Sequence, residues 1–131
     1  MKFEHFALNV ENPVAMTEWY TTHLGLSIVR QLKESPFTTF LADSSGQIML
    51  EIYHNTLADV PVYSKMHPLV LHLAFVSHHP VEDMLRLTAA GAILESDQKL
   101  GDGSHLVMLR DPWGFSIQLC KRGIPMILGG K

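Results

Sequence analysis

The sequence repeats itself at a spacing of 67 residues, and this repeat constrains the fold more than any other feature. His5 and His72 stand 67 positions apart (72 − 5), and the segment HFALNVENPV that begins at His5 matches HLAFVSHHPV, which begins at His72. Self-similarity at a fixed period indicates two copies of one supersecondary unit. Each copy has a histidine near the start of a predicted strand. Two histidines that face each other across a cavity would be a candidate metal site.

Composition limits the class of protein. With 131 residues the chain is predicted to form one domain of two modules, because about 65 residues alone would make a marginal core. The net charge of −3 and the absence of a basic block argue against nucleic-acid binding. Cys120 is the only cysteine, so no intrachain disulfide is possible. No signal-peptide pattern or long apolar run is found, and we expect a soluble cytoplasmic protein without membrane contact.

The first half of the sequence predicts one strand, one helix and three further strands. Asn12 and Pro13 favour the start of the helix, and Gly25 favours its end. The predicted elements are a strand at 2–10, a helix from Pro13 to about His23, and strands at about 26–33, 36–42 and 47–53.

The second half predicts the same order, with equivalent turns, DSSG and DPWG, before the last strand of each half. Its predicted elements are a strand at 69–76, a helix from Pro80 to Ala90, and strands at about 92–96, 104–110 and 114–121. The chain is therefore divided into a first βαβββ module at about 1–54, a linker at about 55–68, a second module at about 69–121 and a tail at 122–131.

Two such modules with these histidines and turns resemble the vicinal oxygen chelate superfamily, which contains glyoxalase I, methylmalonyl-CoA epimerase, extradiol dioxygenases and bleomycin-binding proteins. The resemblance covers about residues 2–121 and rests on the segments HFALNV, WYTTHLGL, LHLAFV and RDPWGFSIQL. It implies an α+β fold in which two tandem modules form curved mixed sheets around a cup-shaped cavity. It also implies a homodimer.

Members of this superfamily hold a metal ion on the first and last strands of each module. The resemblance carries these positions onto His5, Glu51, His72 and Gln118, and Glu51 and Gln118 also stand 67 apart (118 − 51). Glyoxalase-like and epimerase-like members usually have a carboxylate where this chain has Gln118. Glu51 is therefore the only carboxylate in the set. Two imidazoles, a carboxylate and an amide oxygen suit Zn, Ni, Co, Mn or Fe(II).

Strand alternation gives a separate reason to group these four residues. In the first strand Phe6, Leu8 and Val10 are expected to face the core, with His5 on the opposite face. The same alternation of apolar neighbours is found around the other three positions. All four side chains are thus predicted to point away from the core. Further predicted pocket residues are Phe37, Tyr53 and His105, with a loop at Asp102 and Gly103 that covers the cavity.

The first functional hypothesis is a metal-dependent, glyoxalase I-like lyase or isomerase. The divalent metal ion would polarise a carbonyl of a small substrate or thiol adduct, and Glu51 would remove the alpha proton. One alternative is a dioxygenase or thiol transferase on the same scaffold, since His5, His72 and Glu51 form a two-histidine, one-carboxylate set. Another is a metal-free protein that binds a drug or other small molecule, against which the two histidines argue.

Overall fold

The chain divides between Pro61 and Val62 into two units, Met1–Pro61 and Val62–Lys131. The computed structural model describes residues 1–47 and 49–127. The division falls inside the segment 55–68 that the sequence assigns to a linker, and a short 3-10 helix follows it at Tyr63–Lys65. Positions 128–131 of the predicted tail lie outside the described residues.

The first unit has the predicted order of elements. Asn12 starts the helix by accepting a hydrogen bond on Oδ1 from the Ala15 N–H, at 3.1 Å. A mixed sheet has the strand order β1-β4-β3-β2, with β1 parallel to β4 and the other pairs antiparallel. The elements are β1 His5–Asn9, α1 Pro13–His23, β2 Ser27–Gln31, β3 Thr39–Ala42 and β4 Met49–Tyr53.

The second unit repeats this architecture, with the sheet order β5-β8-β7-β6 and only the β5–β8 pair parallel. Its elements are β5 Leu73–Val76, α2 Pro80–Ala89, β6 Ile93–Lys99, β7 His105–Arg110 and β8 Ser116–Lys121. The predicted α+β class with two tandem βαβββ modules is confirmed. No helix among the described residues has the length and apolar character needed to cross a bilayer.

The repeat extends to the register of the strands. Ala7 is paired with Glu51 in the first unit, and Ala74 is paired with Gln118 in the second. Both pairs obey the 67-residue offset. Each unit also has one β-bulge, between its second and third strands. The two sheets are therefore copies at the level of individual residue pairs.

Strand alternation is correct for β4, where Leu50 and Ile52 are buried and Glu51 is half-buried. It is wrong for Phe6, which is 38% exposed, because β1 is an edge strand whose first residues are little covered. In β8, a central strand, alternation does not predict the burial of both faces: Ser116 and Cys120 are buried on the face opposite the core residues.

Four predicted strand boundaries are wrong by three or four residues, and two of them affect candidate site residues. The strands predicted at 2–10 and 36–42 begin only at His5 and Thr39. The strand predicted at 69–76 begins only at Leu73, because a turn with the Val70 N–H donating to the His67 carbonyl precedes it. His72 therefore stands just before β5 rather than within it. The strand predicted at 92–96 continues to Lys99, since β6 and β7 stay paired up to the turn that joins them.

Candidate metal-ligand positions and cavities

His5 and Glu51 are brought together in the first unit. The distance from His5 Nε2 to Glu51 Oε1 is 3.4 Å, and the side chains are 37% and 18% exposed. The other ring nitrogen, Nδ1, lies 2.6 Å from Oε1 of Glu4. Because a carboxylate only accepts hydrogen bonds, this contact assigns the ring proton to Nδ1. In neutral His5 the lone pair on Nε2 therefore faces Glu51.

Two acceptors at this distance repel each other unless a cation lies between them. A proton on His5 Nε2 would serve, and so would a metal ion. Two ligand atoms at about 2.1 Å from one ion lie roughly 3.4 Å apart when they subtend a tetrahedral angle. The observed separation of 3.4 Å therefore fits a pair of ligands to one divalent ion.

The sheet positions this pair. Glu51 stands on β4 between Ala7 of β1 and Phe40 of β3, so its backbone is fixed on both sides. The Phe40 ring meets the His5 ring edge-on, with ring centroids 5.7 Å apart. This contact restricts the imidazole to a position beside the carboxylate.

His72 has the same tautomer in the second unit. Its Nδ1 lies 2.8 Å from the carbonyl oxygen of Pro68, which can only accept, so Nδ1 carries the proton. Its Nε2 has no hydrogen-bond partner within the described part of the chain. Metal-binding histidines commonly have one ring nitrogen fixed by a carbonyl or carboxylate in this way. His72 is thus oriented with a free lone pair.

Gln118 is half-buried on β8, between Ala74 and Met108. Its Oε1 accepts a hydrogen bond from the Cys120 thiol at 3.1 Å. Burial raises the pKa of that thiol, against a smaller opposing effect of the Arg122 charge. The thiol therefore stays protonated as a donor to the amide oxygen.

The four predicted ligand residues thus fall into two pairs, one pair in each unit. Among residues 1–47 and 49–127, the His, Cys, Asp and Glu side chains form no group of three or more that could hold a metal ion. His5 and Glu51 have the separation of two ligands. His72 has a fixed ring with an available nitrogen, and Gln118 offers only a neutral oxygen.

A cavity of about 540 Å³ lies in the second unit on the face of the sheet that carries Gln118. This volume is in the range of small-molecule sites. Pro68, whose carbonyl fixes His72, also lines it. Its walls include Met66, Pro68, Ser96, Met108, Arg110 and Gln118.

Arg110 holds this cavity in shape. Its guanidinium donates to the carbonyl oxygens of Tyr63, Met66 and Gly114 at 2.8–3.0 Å. It also forms a 2.5 Å ion pair with Glu95, which stands at the β-bulge of β6. The arginine therefore ties the segment before β5 to the sheet.

Two of the three predicted pocket residues lie in the first unit and one lies in the second. Phe37 and Tyr53 are half-buried in the first unit, and Phe37 has a left-handed backbone conformation, with φ of 59°. His105 instead lines a second cavity of the second unit, of about 530 Å³, beside the loop that contains Gly103. In that loop the Ser104 N–H and hydroxyl, helped by the Arg122 charge, hold the pKa of Asp102 below its usual value.

The sequence analysis missed Arg110 and Asp97. Asp97 lies 2.5 Å from Nε2 of His105, but the predicted strand ended at 96 and left it in a loop. A β6–β7 hairpin with a tight turn would have aligned the two residues. No local signal marks Arg110, because its three acceptors are backbone carbonyls distant in sequence or across a turn.

Comparisons with known proteins agree with this fold. The antibiotic binding protein TnmS3 of a Streptomyces species is 15% identical, with a TM-score of 0.72 and coverage of 93% of this chain and 96% of that one. A lactoylglutathione lyase of Agrobacterium tumefaciens is 22% identical, with a TM-score of 0.70 and coverage of 95% and 96%. A glyoxalase family protein of Enterococcus faecalis is 24% identical, with a TM-score of 0.67 and coverage of 92% and 97%.

These likenesses concern the fold alone, and no curated protein matches the chain. The family model described as Glyoxalase/Bleomycin resistance protein/Dioxygenase superfamily matches residues 2–119. That match spans both βαβββ units and confirms the resemblance inferred from the sequence. The protein belongs to the Glyoxalase/Bleomycin resistance protein/Dioxygenase superfamily.

Proposed function

We propose that this protein is a metal-dependent, glyoxalase-like enzyme that moves a proton alpha to a carbonyl group of a small substrate. The observation that carries the proposal is the His5–Glu51 pair, in which an imidazole lone pair and a carboxylate oxygen lie 3.4 Å apart. His5, Glu51, His72 and Gln118 are the residues that would hold the divalent ion. Such an ion supplies Lewis-acid polarisation of a carbonyl oxygen.

Glu51 is the general base in this proposal. It is the only carboxylate of the four, and an amide such as Gln118 cannot take a proton. Its side chain is 18% exposed, so a bound substrate would remove most of its remaining water.

Metal content is the first test. The wild-type chain, loaded with Zn or Ni and desalted, is expected to retain about one ion per chain by elemental mass spectrometry. The His5→Ala/His72→Ala variant is expected to lose it, whereas a His67→Ala/His78→Ala control, which removes two exposed histidines, should retain it. A wild type that retains no ion would contradict the metal-dependent proposal.

The reaction class is tested with the loaded enzyme. Hemithioacetals and acyl-CoA thioesters both carry an acidic hydrogen alpha to a carbonyl or a carbonyl equivalent, so both are suitable substrates. Exchange of that hydrogen for deuterium, followed by NMR, detects proton transfer even when no net product forms. Metal binding without exchange in either substrate class would favour another reaction on the same scaffold.

A second candidate is a metal-free protein that binds a small molecule, and one structural relative, TnmS3, is an antibiotic binding protein. The observation that favours it is Gln118, a neutral amide already engaged by Cys120. This candidate expects ligand binding that is unchanged by a chelator. Calorimetry with and without EDTA distinguishes the two.

We further propose a homodimer. Strands β2 and β6 lie at the open edges of their sheets, and their side chains Ile28 and Ile93 are 48% and 64% exposed. Exposed apolar edge strands tend to be covered in soluble proteins. Sedimentation velocity should give a dimer at micromolar concentration, and a monomer throughout would contradict this.

A further inference from the structure

A row of basic side chains crosses the sheet of the second unit. His105 on β7 is directly opposite Lys99 on β6 and directly opposite Lys121 on β8. Directly paired residues of antiparallel strands point to the same face, with Cβ atoms about 5 Å apart. We call Lys99, His105 and Lys121 the basic row.

Lys99 and Lys121 place two ammonium groups on the strands that flank His105, which gives this part of the sheet a local excess of positive charge. Asp97 partly offsets this by accepting a hydrogen bond from His105 Nε2 at 2.5 Å. No acidic side chain is recorded against either lysine among the described residues. The row therefore has cationic groups available for an anion.

The basic row lines the cavity of about 530 Å³. His105 is 91% buried and its Nε2 is held by Asp97, so Nδ1 is its ring nitrogen without a partner. In the part of the chain that the structure describes, Thr17 Oγ1 is the single fully buried side-chain N or O atom without a partner. Nδ1 of His105 therefore keeps some solvent exposure.

The helix α2 begins at the same cavity. Pro80, Val81 and Glu82, its first three residues, all line it. The N-cap residue His79 makes no side-chain capping bond, so the first-turn N–H groups keep the partial positive charge of a helix N-terminus. The two lysines and the helix N-terminus thus place positive charge at the cavity, while Glu82 in its lining and Asp97 beside His105 place negative charge there.

The fold does not require this arrangement. Phe40 and Met108 are opposite Glu51 and Gln118, so the third strands of the two units match at an offset of 68 (108 − 40). At that offset the counterpart of His105 is Phe37, which precedes β3. The first unit folds without a histidine at this position, and the basic row is a property of the second unit alone.

We propose that this cavity is a second ligand site, which binds a small organic anion through a carboxylate or phosphate group. Lys99 and Lys121 would hold the anionic group, and Pro80, Val81 and Leu100 would contact its apolar part. Glu82 at the rim disfavours a second negative charge on that side. The site is independent of the proposed metal site and shares no residue with it.

The test uses the full chain in EDTA, so that failure of the metal proposal cannot affect it. Benzoate, phenyl phosphate and inorganic phosphate are titrated by calorimetry, with uncharged benzyl alcohol as the neutral comparison. We expect saturable binding of at least one of the three anions and none of benzyl alcohol. Preference for benzoate or for the phosphates identifies the group that is bound.

Lys99→Gln and Lys121→Gln should each weaken that binding about tenfold, which is the loss of one charge-assisted hydrogen bond. Lys65→Gln is the matched control, because Lys65 is an exposed lysine of the same unit that lines the other cavity. Both lysines of the row are exposed, so the variants should fold. Absence of saturation with every anion, or equal weakening in all three variants, would overturn the proposal.

Discussion

His5 and Glu51 are 46 residues apart in the sequence (51 − 5), yet His5 Nε2 lies 3.4 Å from Glu51 Oε1. The pairing of β1 with β4 creates this proximity, and the contact of His5 Nδ1 with Glu4 directs the lone pair of Nε2 toward the carboxylate. The arrangement needs a proton or a metal ion between the two groups. In the proposed function Glu51 is both a metal ligand and the general base, so its replacement is the most informative test.

Glu51→Gln should leave the fold intact and abolish proton transfer. The amide keeps the shape of the side chain, but it cannot take a proton, and general-base loss typically costs at least about 100-fold in rate. Metal affinity should also fall, since a charged ligand is lost. Deuterium exchange of the substrate measures proton transfer, and thermal melting checks that the fold is intact. Full exchange in this variant would exclude Glu51 as the base.

The repeat supplies a matched control for Glu51. Gln118 has the same register position in the second sheet, so the double variant Glu51→Gln/Gln118→Glu moves the carboxylate to the equivalent place. If only the presence of a carboxylate matters, the double variant should recover metal binding that Glu51→Gln has lost. Recovery of binding without recovery of exchange would mean that the base must stand beside His5.

The helix starts should differ in their sensitivity to mutation. Asn12→Ala removes the hydrogen bond from the Ala15 N–H and should lower the free energy of unfolding by about 1 kcal/mol. His79→Ala is the counterpart in the second unit (79 − 12 = 67) and removes no capping bond, so its effect should be much smaller. Urea denaturation measures both, and equal losses would contradict the capping assignment.

The two equivalent turns should respond differently to alanine. A Cβ at Gly114 would lie 2.5 Å from Cβ of Ser64 and 2.8 Å from its backbone, and φ is +87°. Gly46 also has a positive φ, of +70°, but a Cβ there meets nothing within 4 Å. Gly46→Ala should therefore cost about 1 kcal/mol, the left-handed penalty alone.

Gly114→Ala should cost roughly 3 kcal/mol or more, because overpacking adds to that penalty. Chemical denaturation of both variants gives the comparison. Similar losses of unfolding free energy in the two alanine variants would show that Ser64 moves aside without an energetic cost.

The Cys120 thiol should react slowly in the folded protein. Burial raises its pKa, so less thiolate is present at a given pH than in the unfolded chain, and thiolate is the reactive form. The higher pKa of the folded-state thiol contributes stability that is fully present below the pKa of the unfolded thiol. This contribution is lost as pH rises through the folded-state pKa. Labelling rates between about pH 7 and pH 10, with and without urea, measure it.

Arg122→Gln provides the comparison for the thiol. The Arg122 charge lowers the pKa of Cys120 in opposition to burial, so its removal should shift the onset of labelling to still higher pH. A labelling profile equal to that of the unfolded chain would contradict the burial of the thiol.

Much of the fold could be predicted because the features that mark its helices and turns are local in the sequence. Asn12, Gly25 and the two turns are short-range features whose conformational preferences do not depend on distant residues. The strand boundaries around His72 and Asp97 could not be predicted, since each depends on where a partner strand or turn ends. One error placed His72 within a strand that begins after it, and the other placed Asp97 in a loop although it belongs to β6.

The sequence by itself determined the repeated βαβββ order, because periodicity and spacing are carried by the chain itself, and its resemblance to the superfamily implied the four candidate ligand positions. Only the tertiary structure decided which nitrogen of His5 and of His72 is free, since Glu4 and the Pro68 carbonyl set the tautomers. It likewise decided that His105 stands between two lysines, since cross-strand register, unlike sequence spacing, depends on how the strands pair.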